Sequence, residues 1–77
     1  MLDQKLIEVS LDELPVFLTV DEAAAVLRIG RTSAYVLCHQ WLESGGQSGL
    51  PCVKVGRQLR VPRAALVRMA NATGSAA

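Results

Sequence analysis

Three cations, Lys54, Arg57 and Arg60, fall within the short stretch CVKVGRQLRVP at residues 52–62. A second polar cluster, Arg31, Thr32, Ser33 and Tyr35, opens a segment whose apolar residues recur at helical spacing. Guanidinium, ammonium and hydroxyl donors in these settings suit anion binding. At a helix N-terminus they can donate to phosphates and base edges, helped by the positive end of the dipole. Catalysis finds less support. His39 is the sole histidine, and no acid, nucleophile or glycine-rich loop is spaced to assemble a site with it. No catalytic residue is assigned, and an enzyme is not expected. Cys38 and Cys52 are far apart in sequence and form no C-x-x-C pair, so no zinc site, other metal or cofactor is expected. Gly45-Gly46 has no strand before it and no Lys-Ser/Thr after it, unlike a phosphate-cradling loop.

The net charge of +1 conceals a division along the chain. Asp3, Glu8, Asp12, Glu13, Asp21 and Glu22 face only Lys5 among the first 22 residues. Arg28, Arg31, Lys54, Arg57, Arg60, Arg63 and Arg68 face only Glu43 further on. This polarity permits polyanion binding and head-to-tail self-contact, and equally an acidic arm folded back over its own basic region. At 77 residues the chain makes one domain with a thin core. One Phe, one Tyr and one Trp among 51% hydrophobic residues make that core aliphatic. The longest apolar run is far short of a membrane span, and no secretory leader is read at the start. A cytoplasmic, nucleoid-associated location in a host cell is expected, with no membrane partner.

These donors need elements to position them. Thr19 with Glu22 three residues on is a capping box, and Val20, Ala23, Ala24 and Leu27 follow on one helical stripe, predicting a helix over about 20–28. Gly30 breaks the pattern. Ala34, Leu37, Cys38 and Trp41 then predict a second helix over about 31–43, with Thr32, Tyr35, Val36 and His39 on its opposite face. Two helices around a short Gly-containing turn form a helix-turn-helix pattern. Residues 43–49 read as a flexible polar connector, and 63–70 as a short third helix after Pro62. The domain division is an acidic arm over 1–17, legible neither as strand nor as helix, a folded domain over 18–70, and a disordered tail over 71–77.

Between connector and third helix lies a hairpin. A two-residue loop at Gly56-Arg57 mixes Val53 and Val55 with Gln58 and Arg60 on one face. A three-residue loop, Gly56-Arg57-Gln58, collects Val53, Val55, Leu59 and Val61 inward and sets Lys54 opposite Arg60 outside, although such loops prefer Gly last. Pattern favours the second. Like charges across a strand pair then call for a phosphate between them, or else serve to guard a sheet edge.

Taken together, LTVDEAAAVLRIGRTSAYVL and LPCVKVGRQLRVPRAAL resemble the excisionase family of winged-helix proteins in the MerR-like superfamily, and more narrowly the small excisionases of actinobacterial phages. The resemblance covers residues 18 to about 70. It implies an α+β fold, a small winged helix-turn-helix with a β-hairpin wing and a short C-terminal helix. It also implies a recombination directionality factor that binds repeated sites in double-stranded attachment DNA, bends it and steers a tyrosine integrase toward excision. Carried onto this chain, Arg31, Thr32, Ser33 and Tyr35 are the helix contacts, and Lys54, Arg57, Gln58 and Arg60 the wing contacts. Val36 stands where relatives often carry a basic residue, which removes a phosphate contact or offers an apolar one to a thymine methyl. Gly30 stands where they often carry a Ser cap. The connector 43–49 is longer than usual. No long helix offers the coiled-coil dimer of MerR-type activators, so adjacent copies would touch head to tail. A small phage or plasmid transcription regulator with the same fold is the nearest alternative, and a protein-interaction module without DNA binding is one of another class.

Overall fold

The computed structural model describes residues 11–76, with side chains described as far as 72. The expectations for residues 1–10 and for Ala77 lie outside the described residues. A 3-10 turn over Leu11–Glu13 leads into strand β1 (Phe17–Leu18) and helix α1 (Val20–Leu27). Helix α2 (Arg31–Glu43), strands β2 (Val53–Val55) and β3 (Gln58–Pro62), and helix α3 (Arg63–Ala76) follow. The fold is a small α+β winged helix-turn-helix, with the strands in the antiparallel order β1-β3-β2.

Helix α1 starts where the sequence puts it. The Glu22 amide donates to Thr19 Oγ1 at 3.0 Å and the Thr19 amide to Glu22 Oε1 at 2.9 Å, satisfying two donors that the helix leaves over. A cap of this kind is worth about 0.5–2 kcal/mol. Its end also falls where expected, at Leu27, but Gly30 does not supply the left-handed residue that stops it. Arg28 does, at φ 62 and ψ 40. The Ile29 amide donates to Ala24 O and the Arg28 amide to Ala25 O, the paired bonds of a Schellman cap. Gly30 instead sits extended at φ −69 and caps α2 through its carbonyl, which accepts from the Ala34 amide, with no side-chain cap.

The two helices bury Val20, Ala23 and Ala24 against Ala34 and Cys38. Leu18, Leu50, Cys52, Val61 and Leu66 complete the core, while Tyr35, Leu37 and Trp41 pack against it half-buried. No aromatic ring is among the buried residues.

Residues 44–49 are not a loose connector. Ser44 Oγ accepts from the amides of Gln47 and Ser48, Gly46 N donates to Trp41 O, and Leu50 N donates to Leu37 O at 3.0 Å. The segment thus doubles back against α2. Gly49 makes this approach, at φ +105, where an added Cβ would lie 2.4 Å from Leu37 O. Leu50, only 2% exposed, is delivered into the core by that turn.

The hairpin register corrects the expectation drawn from face counting. Val53 pairs with Arg60, Lys54 with Leu59 and Val55 with Gln58, so the loop is the two-residue Gly56-Arg57. Gly56 has φ +63 and Arg57 does not share the positive φ, the signature of a type II′ turn, which wants Gly first. Turn chemistry therefore outweighs the burial of two valines, and Val55 remains 61% exposed. Lys54 and Arg60 are not opposed across the strands, so no like-charge pair there calls for a phosphate. Leu59 and Val61 still face the core.

Beyond the hairpin, β1 adds a third strand, pairing Phe17 with Pro62 and Leu18 with Val61. The Arg63 amide donates to Val16 O, and its Nη1 donates to Asp12 O at 3.1 Å and Leu14 O at 2.8 Å. Arg63 is thereby a structural clamp on residues 12–16. Helix α3 buries Ala65 and Leu66 as spaced, but it runs to Ala76 rather than ending near 70, through residues expected to be a disordered tail.

Candidate nucleic-acid interface

Helix α2 places Arg31, Thr32, Ser33 and Val36 in solvent, Val36 at 59% exposure. Tyr35 is half-buried, packed against the core. In the wing, Lys54, Arg57 and Gln58 are exposed and Arg60 is half-buried. Arg60 is braced by its own strand: Nη1 donates to Leu59 O at 2.8 Å and Nη2 to Gln58 Oε1 at 2.9 Å. Part of its donor capacity is thus already used.

Helix and wing converge on a cleft of about 600 Å³. Tyr35 and His39 from α2 line it, together with Lys54, Arg57, Gln58 and Arg60 from the wing. Asp21 and Thr19, at the start of α1, close one end. Tyr35 and the four wing residues named from the sequence border the cleft, but Lys54 lies on the sheet face shared with Leu59 while Gln58 and Arg60 lie on the opposite face with Val55; Arg31, Thr32, Ser33 and Val36 lie outside the cleft lining. The observed register brings Lys54 onto the face shared with Leu59, toward the helices.

Two residues of this surface went unassigned in the sequence. His39, which its spacing places on the outer face of the helix, is exposed and borders the cleft. Asp21, counted in the sequence only among the acids of the first 22 residues, has its Oδ1 3.1 Å from Arg31 Nε. The ten-residue separation gave no helical-spacing signal for that pair. The Arg31 guanidinium also stands over the Tyr35 ring, 5.9 Å from its centroid.

The cysteines form no part of the surface. Cys38 and Cys52 are free and buried, and Cys52 Sγ donates to Cys38 O at 3.4 Å. Burial, reinforced by the neighbouring Cys52, pushes the Cys38 thiol up to about 12, and burial likewise raises Cys52. Thiols held protonated in this way are poor nucleophiles and poor metal ligands. Among the described residues no cluster of His, Cys, Asp and Glu could hold a metal ion. No helix among them is long and apolar enough to cross a membrane.

An exposed helix N-terminus rich in donors, beside a cationic wing, is an arrangement suited to DNA binding by a helix-turn-helix domain. The chain belongs to the helix-turn-helix domain family, which it matches over residues 17–74. The match spans β1 through most of α3. Neither the curated proteins nor the solved structures include a match.

Proposed function

We propose that this helix-turn-helix protein is an excisionase-type factor, which binds repeated sites in attachment DNA, bends it and directs a tyrosine integrase toward excision. The observation that carries the reading is the convergence of α2 and the wing on one cleft, from the segments whose sequence resembles the excisionase family. Helix α2 then enters the major groove, and Lys54 and Arg57 follow the adjacent backbone. Catalysis belongs to the integrase. Neighbouring copies assist one another head to tail, the acidic arm of one meeting the basic surface of the next.

Recombination with purified integrase tests this. Addition of the protein is expected to promote excision and to protect repeated sites in a footprint. Binding and protection without any effect on the integrase would favour a transcription regulator instead. Affinity measured against salt separates both from a protein-interaction module: about five phosphate contacts give a log-log slope near −4 to −5, at about −0.9 per contact. Deleting the acidic arm should reduce cooperativity on multi-site DNA; unchanged cooperativity would remove the head-to-tail contact.

A further inference from the structure

We infer that Arg31 reads a guanine in the major groove and that Asp21 is its positioning residue, an inference that rests on the DNA-binding reading of the α2 surface. Arg31 is the first residue of α2, with its side chain 73% exposed, yet it is held from two directions. Asp21 Oδ1 takes its Nε at 3.1 Å from the first turn of α1. Tyr35, one helical turn on and packed against the core, lies beneath the guanidinium at 5.9 Å. A guanidinium carries five N–H donors in a rigid fork. Pairing Nε with Asp21 leaves the terminal Nη1 and Nη2 pair, which takes no hydrogen-bond partner among the described residues, on a side chain that is 73% exposed. That pair matches guanine O6 and N7, the commonest specific contact in the major groove.

The carboxylate also decides what Arg31 is for. A phosphate drawn to this guanidinium would bring its negative charge close to Asp21, whereas a base edge offers acceptors with no net charge. Asp21 therefore weakens Arg31 as a general phosphate anchor while fixing it for base readout. It acts through Arg31 and touches no base itself. An exposed arginine without such support would have to surrender its rotamer freedom on binding.

The test is selection of bound duplexes from a randomised library, followed by affinities on the selected duplex, on variants of it and on unrelated DNA. The wild type is expected to select a guanine at one position of each site. Arg31→Ala and Arg31→Lys should abolish that preference, losing roughly 5- to 150-fold of discrimination there. Asp21→Asn should erode preference at the same position only, while strengthening binding to unrelated DNA and steepening the salt slope by about one contact, −0.9. Asp21→Glu should restore part of the preference, an outcome a purely structural role would not give. A uniform loss across all sequences for Arg31→Ala, or an Asp21→Asn protein with unaltered preference and unaltered non-specific affinity, would overturn the inference. Failure of every duplex to bind would remove it together with the DNA-binding reading. Selective binding without any effect on integrase would remove the excisionase role alone.

Discussion

Arg28 shows how a single residue can hold a conformation its type resists. Left-handed backbone costs a non-glycine residue roughly 1–2 kcal/mol, yet Arg28 caps α1 at φ 62. Replacing Arg28→Gly should raise stability by about 1 kcal/mol in urea unfolding, because glycine removes the Cβ penalty. Cys38 carries the other residue-scale prediction. Its folded thiol holds the proton to about 12, against 9.0 as the ordinary value. Between those values the unfolded chain binds fewer protons than the folded one. Stability is therefore level below the lower value and falls as pH rises toward the upper one. Urea midpoints followed through the alkaline range should show this decline, and Cys38→Ala should flatten it on a lower baseline.

At the scale of elements, the hairpin register makes a sharp prediction. Val55 sits on the outer sheet face at 61% exposure, so Val55→Thr should change stability by no more than about 0.5 kcal/mol. Leu18→Ala, in the core at 0% exposure, should cost about 2–5 kcal/mol. Thermal melts of the two variants distinguish the observed pairing from one that buries Val55. Gly49→Ala should cost on the order of 1–3 kcal/mol or more, since the φ of +105 and the approach to Leu37 O both forbid a side chain. The helices were legible because Thr19, Glu22 and the apolar stripes speak through local spacing. The register was not, because two local signals conflict at Gly56: alternation asks for a longer loop and turn geometry for a shorter one. The placement of residues 44–49 was hidden for another reason. It depends on Leu50 N reaching Leu37 O, a contact that no periodicity encodes.

Across the whole molecule, the basic residues divide by task. Arg63 clamps the chain before β1, and Arg60 is partly spent on Leu59 and Gln58. Lys54 and Arg57 are exposed at the cleft. Replacing both with alanine should weaken binding across all sequences and flatten the salt slope by nearly two contacts, about 1.8 in log-log terms. Arg63→Ala should lower the unfolding free energy while leaving that slope unchanged. The basic residues were legible as a group from composition, but the clamp made by Arg63 follows from hydrogen bonds across 49 to 51 residues of sequence, and the bracing of Arg60 from local bonds that face alternation does not encode. The turn that docks residues 44–50 onto α2 has a thermodynamic corollary. Because that turn ties the start of the wing to the body of the helix, the two arrive at DNA as one stiff object with little left to order. Calorimetry of the described domain should accordingly give a heat-capacity change accounted for by the contact area alone, without the large excess that accompanies folding on binding.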